Sequence, residues 1–132
     1  MRFMFDINTC IAVMNRKSER LSLKMRSNLS AVCISSLTLA ELRFGAENSR
    51  DRAQNQQAVD VFLRPVSIEP FDEAAAYVYG IVRARLRREG RPIGPVDTLI
   101  GAHALALNAT LVTGNLREFQ RIEGLKVEDW SR

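Results

Sequence analysis

Short apolar runs alternate with longer amphipathic segments along this chain. The apolar runs predict five strands, at Arg2–Asp6, Ala31–Ser35, Val66–Glu69, Thr110–Thr113 and Leu125–Glu128. The segments between them carry apolar residues at the spacing that is typical of helices. Nearly continuous apolar strands separated by helices indicate a mainly parallel sheet that is covered on both faces. The pattern therefore predicts an α/β fold, specifically a three-layer α/β/α sandwich.

Capping residues and glycines mark the ends of three of the predicted helices. Serine, aspartate and proline are favoured at helix starts, and glycine is favoured just after a helix end. The predicted helices run from the Ser35-Ser36 cap to Phe44, followed by Gly45; over Glu73–Arg88, capped by Asp72 and followed by Gly90; and over Val96–Leu107, with Pro95 in the first turn. Leu37, Ala40 and Phe44 are the predicted apolar side of the first helix.

The composition fits one globular domain over residues 1–132. Apolar residues make up 46% of the chain and charged residues 26%, which is ordinary for a globular protein. No apolar run approaches the roughly 20 residues of a membrane span, and a secretory signal pattern is missing, so we expect a cytoplasmic protein without membrane association. Cys10 and Cys33 have no partners at zinc-ligand spacing, and we expect both to be buried free thiols.

Three acids stand where the predicted sandwich would bring them to one edge of the sheet. Asp6 ends the first strand, Glu41 lies in the helix after the second strand, and Asp97 lies in the first turn of the third predicted helix. In parallel sheets, sites form beyond the carboxyl ends of strands whose crossovers leave to opposite faces. If the first and fourth strands are neighbours, Thr113–Asn115 lines the same crevice.

Each acid alone has a second explanation. Asp6 can be a helix N-cap, Glu41 a solvated helix residue, and Asp97 a partner of the helix dipole. Together they indicate a metal site, because clustered carboxylates without His or Cys favour a hard cation such as Mg²⁺ or Mn²⁺. The chemistry that suits such an arrangement is metal-assisted hydrolysis of a phosphodiester.

These residues resemble those of a known family, the PIN-domain ribonucleases, and within it the VapC toxins of bacterial toxin–antitoxin pairs. The resemblance covers nearly the whole chain and rests on FMFDIN, CISSLTLAELRFGAE, GRPIGPVDTLIGAHAL, LVTGNLREF and GLKVEDW. It implies the same α/β/α fold. By position it implies that Asp6, Glu41 and Asp97 hold Mg²⁺ or Mn²⁺. Asn115 stands where many members have a fourth acid, and Glu118 on the same turn is a substitute candidate.

The resemblance also implies the activity and the partners. It implies an endoribonuclease that halts translation, with transfer RNA as the expected substrate. It further implies a homodimer, a small cognate antitoxin (VapB-like) that inhibits it by docking along the active-site groove, and operator DNA bound only through that antitoxin. Asn8, Thr113 and Arg43 are the candidate contacts to the RNA.

The mildly basic charge of +4 permits a polyanionic partner without requiring one. The arginines near the end of the second predicted helix are Arg83, Arg85, Arg87, Arg88 and Arg91. They can offset the helix dipole as a solvated face, or contact phosphates and make RNA binding depend on salt. His103 lies on the apolar stripe of its helix, so we expect a core imidazole and not a general base.

Two other functions stay open. The stretch Asp6-Ile7-Asn8-Thr9 looks like the DxDxT loop of haloacid-dehalogenase-type phosphatases, although Asn8 replaces the second acid and the downstream acidic pair is missing. A non-catalytic RNA-binding or regulatory module that keeps the fold is the alternative from another class. Ile7, where a small hydroxyl residue is common, and Asn115 favour that alternative.

Overall fold

The central element is a five-stranded parallel sheet. The computed structural model describes residues 1–132, and its strands lie in the order β3-β2-β1-β4-β5. The strands are β1 Phe3–Phe5, β2 Val32–Ser35, β3 Ser67–Glu69, β4 Thr110–Val112 and β5 Lys126–Glu128. All five predicted strands are confirmed, each within one residue of its predicted bounds. The predicted α/β/α sandwich is confirmed as well.

Seven helices cover the two faces of the sheet. The helices are α1 Ile7–Met14, α2 Glu19–Ser27, α3 Ser36–Glu47, α4 Arg52–Leu63, α5 Glu73–Arg88, α6 Pro95–Ala106 and α7 Leu116–Phe119. Helices α1 to α4 pack on one face and α5 to α7 on the other. None of these helices combines the length and the apolar character that crossing a bilayer requires.

Side chains alternate along the strands between two apolar cores. On β1, Phe3 and Phe5 join the core beneath α1 to α4, whereas Met4 joins the core beneath α5 to α7. On β4, Val112 and Leu111 divide in the same way. Because successive strand side chains point to opposite faces, both faces of the central strands are buried. That burial explains why the strands are continuous apolar runs in the sequence.

Two of the three predicted helices end within one residue of the predicted positions. Helix α5 spans Glu73–Arg88, and Asp72 caps it by accepting a hydrogen bond from the backbone N–H of Ala75 at 3.0 Å. Gly90 follows with φ of +66°, a conformation that glycine adopts without strain. Helix α6 begins at Pro95 and ends one residue before the predicted Leu107.

Helix α3 is longer than predicted and buries a different side. It continues to Glu47, so Gly45 lies inside the helix and not after its end. Its buried residues are Thr38, Leu42 and Ala46. The predicted apolar side is wrong at two of its three positions, since Phe44 is 64% exposed and Ala40 is also exposed, whereas Leu37 is partly buried against the core beneath α5 to α7. Two stripes of residues fit the helical period here. The buried stripe is hard to recognise in the sequence because its first residue, Thr38, is polar.

Both cysteines are free and buried, as predicted. Burial raises the pKa of Cys33 to about 11, and the nearby Glu69 carboxylate adds to that rise. Burial also raises the pKa of Cys10, with a further contribution from the Asp6 carboxylate. Both side chains are therefore protonated thiols at neutral pH, and they serve packing.

Gly101 lets α6 approach the segment that follows β4. A Cβ atom on Gly101 would lie 2.5 Å from Cδ1 of Ile122 and 3.3 Å from Cδ1 of Phe119. Both neighbours are buried. Asp97 lies one helical turn before Gly101, and Glu118 is next to Phe119. This close packing therefore sets how near the carboxylates of Asp97 and Glu118 come to each other.

Replacing Gly80 with alanine is expected to stabilise the protein, whereas the same change at Gly101 is not. Alanine is favoured over glycine by about 1 kcal/mol inside a helix. A Cβ on Gly80 of α5 meets nothing within 4 Å, so Gly80→Ala gains most of that amount. At Gly101 the overpacking cost of about 1–3 kcal/mol offsets or exceeds the gain. Urea unfolding measures both variants, and equal stabilisation by the two would contradict the close contact at Gly101.

Candidate active site

Asp6 is fixed at the carboxyl end of β1 by two hydrogen bonds. Only 5% of the residue is exposed. Its Oδ1 accepts from the backbone N–H of Thr9 at 2.9 Å and so caps α1, while its Oδ2 accepts from the Thr113 hydroxyl at 2.6 Å. A carboxylate offers about four acceptor positions, so Asp6 keeps capacity for a cation. Asp6 is therefore a helix cap and a rigidly held acid at once.

Thr113 joins two neighbouring strand ends. Strand β4 pairs with β1 with Val112 opposite Phe5, which confirms the predicted neighbourhood of the first and fourth strands. The Thr113 hydroxyl donates to Asp6 and accepts from the backbone N–H of Asn115 at 2.9 Å. The chain runs from β1 to β2 on one side of β1, whereas β4 lies on the other side of β1. Asp6 thus stands at the switch point of the sheet, where sites in this architecture form.

Asp97 adds a second carboxylate within electrostatic reach of Asp6, and Glu118 is a third carboxylate within reach of Asp97. Asp97 lies in the first turn of α6 and Glu118 in α7, and both are half-buried. Burial raises the pKa of Asp97, and the negative charges of Asp6 and Glu118 raise it further. Like charges in a partly buried place disfavour ionisation. A divalent cation placed among these groups would remove that repulsion.

Glu41 lies apart from the other acids. It is exposed on α3. It lines a groove together with Ile7, the residue that directly follows Asp6. No group of three or more His, Cys, Asp or Glu side chains lies close enough to ligate one metal ion directly. Asp97 is thus within electrostatic reach of both Asp6 and Glu118, whereas Glu41 is exposed on α3 and is not shown to approach them.

Two of the predicted substrate contacts, Asn8 and Thr113, and the predicted site residue Asn115 lie in different environments. Asn8 is exposed in the first turn of α1, where it lines a cavity of about 110 Å³ with Thr9 and Thr113. The Thr113 hydroxyl is used inside the protein, since Asp6 and Asn115 both bind it. Asn115 is exposed before α7, with no hydrogen bond from its side chain to the helix start.

Arg43 is paired away from the acids. Its guanidinium donates to Oε1 of Gln56 at 2.8 Å and to Oδ1 of Asp60 at 2.7 Å. Both partners belong to α4, so Arg43 connects α3 to α4. The sequence could not reveal this pairing, because the partners lie 13 and 17 positions further along the chain.

His103 is a core imidazole, as predicted. It is 1% exposed, its Nδ1 lies 2.9 Å from the Ser35 hydroxyl, and its ring meets the edge of Phe71 at 5.3 Å. Burial lowers the pKa of His103, although the charges of Asp72 and Glu69 act in the opposite direction. The imidazole is therefore neutral and enclosed at pH 7, which does not suit a general base for an external substrate.

The fold and the acids at its switch point now define the class of protein. The PIN domain profile matches residues 3–125, a range that includes β1 to β4 and all the candidate acids. The chain belongs to the PIN-domain family. This membership excludes the phosphatase alternative.

Within that family the chain is a member of the VapC ribonucleases. It is 42% identical over 130 residues to the tRNA(fMet)-specific endonuclease VapC of Salmonella typhimurium, covering 98% of both chains. It is 38% identical over 134 residues to ribonuclease VapC2 of Rickettsia felis, covering all of both. The DNA-bound VapBC structure from Salmonella typhimurium contains a chain that superimposes with a TM-score of 0.95 at 42% identity, covering 98% of each chain.

Proposed function

We propose that the protein is an endoribonuclease that requires Mg²⁺ or Mn²⁺, cleaves transfer RNA and thereby halts translation. The observation that carries this proposal is the doubly anchored Asp6 at the switch point of the sheet, with Asp97 of α6 within electrostatic reach of it. The name of the Salmonella relative, a tRNA(fMet)-specific endonuclease, supports transfer RNA as the substrate class.

The donor set fits a hard divalent cation. All the acids offer oxygen ligands, and the possible sulfur and imidazole ligands, Cys10, Cys33 and His103, are buried. Mg²⁺ usually takes only one or two carboxylates and completes its octahedron with water and substrate phosphate. Asp6 and Asp97 are therefore sufficient as direct ligands. Glu41 and Glu118 would act on the ion's water shell, and Asn115 would add an amide oxygen.

The chain's own residues would prepare the site for hydrolysis. When bound, a cation would supply an activated water and charge stabilisation for the leaving oxygen. Thr9 and Thr113 hold Asp6 in one orientation, and the close packing at Gly101 fixes Asp97 relative to α7. Asn8 and Asn115 are exposed beside Asp6, where their amides can bind phosphate or ribose oxygens. Arg43 is less suited to this role because Asp60 already pairs with it.

A small antitoxin is proposed as the inhibitor. An apolar groove of about 330 Å³ runs between α1, α3 and α4, and Ile11, Met14 and Val59 line it. Ile7 and Glu41 also line the groove, and Ile7 directly follows Asp6 in the chain, so a peptide seated there would lie near Asp6. The VapBC structures bound to DNA support the proposal that operator DNA is bound through the antitoxin.

A homodimer is also proposed. Phe44 on α3 is 64% exposed, and Tyr77 and Ile81 on α5 are 74% and 53% exposed. Tyr77 and Ile81 are four residues apart and share one side of their helix. Large apolar side chains that stay exposed together on one helix face are typical of a surface that another protein covers.

Metal-dependent cleavage of total bacterial RNA tests the proposed activity. With Mg²⁺ or Mn²⁺ the purified protein should yield discrete fragments, and EDTA or Asp97→Asn should abolish them. The matched control is Asp51→Asn, because Asp51 is exposed and its side chain makes no capping hydrogen bond. Fragments that persist both in EDTA and in Asp97→Asn would come from another nuclease. Binding of RNA without cleavage under any metal would favour the regulatory-module alternative.

A further inference from the structure

A basic groove lies beside the start of α6. It has a volume of about 400 Å³ and runs between the last turns of α5 and the first turn of α6. Tyr79, Arg83 and Arg87 line it from α5, and Pro95 and Thr98 line it from α6. No carboxylate is among its lining residues. The groove is therefore a place of uncompensated positive charge.

The arginines of α5 divide into paired and unpaired ones. Arg85 forms ion pairs with Glu89 and Glu123. Arg87 has no ion pair and no side-chain hydrogen bond. The guanidinium of Arg83 donates to the Tyr79 hydroxyl at 3.0 Å and lies 6.0 Å from the centre of that ring. The two arginines in the groove thus keep free donors, which suit phosphate oxygens.

Helix α6 connects this groove to the acids. Pro95 and Thr98 are three residues apart and share one side of the helix, whereas Asp97 lies between them in sequence and points to another side. An α-helix with its side chains is about 10–12 Å wide. A strand of RNA whose cleaved bond lies at Asp97 would therefore reach the groove within a few nucleotides.

The spacing of the two arginines also suits a nucleic-acid backbone. Arg83 and Arg87 are four residues apart, which is about 6 Å along the axis of α5. That distance is close to the separation of adjacent phosphates in one strand. The Tyr79 ring, covered on one side by Arg83, offers a surface on which a base can stack. Arg121 adds a further cation at the rim, where its guanidinium donates to the Pro92 carbonyl at 2.9 Å.

We propose that this groove binds the RNA strand next to the cleaved bond, with Arg83 and Arg87 on successive phosphates. The proposal rests on the proposed ribonuclease activity and adds a binding site to it. The groove holds the part of the substrate that does not react. Its contacts therefore stabilise the ground state and the transition state alike, and they act on KM and not on kcat.

The test compares two double variants that each lower the net charge from +4 by two. Arg83→Gln/Arg87→Gln changes the groove. Arg26→Gln/Arg64→Gln changes two exposed arginines of α2 and the end of α4, which form no ion pairs. All four side chains are exposed, so thermal unfolding midpoints should stay close to that of the wild type. Steady-state cleavage of transfer RNA is measured between 50 and 300 mM KCl, on the order of the range where phosphate contacts respond.

For the groove variant we expect KM to rise roughly tenfold with kcat nearly unchanged. The slope of log(kcat/KM) against log[KCl] should become shallower by about 0.7 for each arginine removed. The rise in KM relative to the wild type should become smaller as the RNA is shortened around the cleaved bond. The control variant should keep the wild-type slope. Equal KM values and slopes in the two variants would overturn the proposal, and so would a fall in kcat at unchanged KM.

A binding measurement separates this proposal from the proposed activity. Anisotropy of labelled transfer RNA in EDTA reports affinity without cleavage, and the groove variant should bind roughly tenfold more weakly than the control. An inactive wild type with this difference would count against the ribonuclease proposal alone. Unchanged RNA affinity, with loss of binding to a poly-glutamate peptide, would assign the groove to a protein partner and overturn the proposal.

Discussion

An Asp6→Asn variant is expected to lose RNA cleavage by roughly three orders of magnitude in kcat/KM, because charge stabilisation at the reacting centre is among the largest contributions to catalysis. The carboxylate is the acid at the switch point, and both of its oxygens are already oriented by Thr9 and Thr113. An amide keeps the shape of the side chain but not the negative charge that a divalent cation needs. The loss should therefore fall on kcat and on metal affinity together.

The same variant is expected to stay folded. Asparagine caps a helix about as well as aspartate, so the bond from the Thr9 N–H survives. The amide NH₂ would face the Thr113 hydroxyl, which already accepts from Asn115, and one lost hydrogen bond costs about 0.5–1.5 kcal/mol. Growth after induced expression and cleavage in vitro are both measured. Growth arrest that persists in Asp6→Asn after cleavage is lost would favour the regulatory module, and cleavage that persists would show that Asp6 is not part of the reacting site.

A Trp130→Ala variant is expected to be the most destabilising single change in the core beneath α1 to α4. Trp130 is 2% exposed, and its ring centre lies 4.9 Å from that of Phe3 and 5.5 Å from that of Phe5. Its indole N–H donates to Glu128 at 2.8 Å. Truncating a buried tryptophan costs about 3–5 kcal/mol, a large part of the total stability of an ordinary domain.

Thermal and urea unfolding measure this effect. The midpoint temperature should fall on the order of 10–20 °C for a chain of this size. Leu23→Ala is the matched control, because Leu23 is 50% exposed on α2 and should cost less than about 1 kcal/mol. Trp130→Phe should fall between the two. A loss below about 1 kcal/mol for Trp130→Ala would mean that the ring is not packed against β1.

The three central strands were predictable because burial on both faces leaves a continuous apolar run in the sequence. The first strand, for example, can be recognised because Met4 and its neighbours Phe3 and Phe5 are all apolar. The placement of Asp6 followed from the general rule for parallel sheets, and the pairing of β1 with β4 confirms it. Helix α5 was predictable from its Asp72 cap and the glycine after its end.

The parts that the sequence could not predict depend on side chains that are distant along the chain. Arg43 faces α4 because α3 and α4 pack as a pair, and nothing in its neighbourhood of the sequence signals Asp60. Glu118 approaches Asp97 because Gly101 has no side chain to hold α7 away. The sequence does predict part of the role of Thr113, since a threonine hydroxyl can accept a hydrogen bond from the backbone N–H two residues further on. That rule predicts the hydrogen bond from the Asn115 N–H but not the hydrogen bond to Asp6.

The double anchoring of Asp6 bears on how such a protein would be kept harmless. An acid that is already oriented before metal or RNA arrives leaves little rearrangement to be made, so the resting molecule is close to its working shape. Restraint then has to come from outside, as a partner that covers the acids. The rate at which the protein becomes active would then be set by the lifetime of that partner, and not by a conformational change in the protein itself.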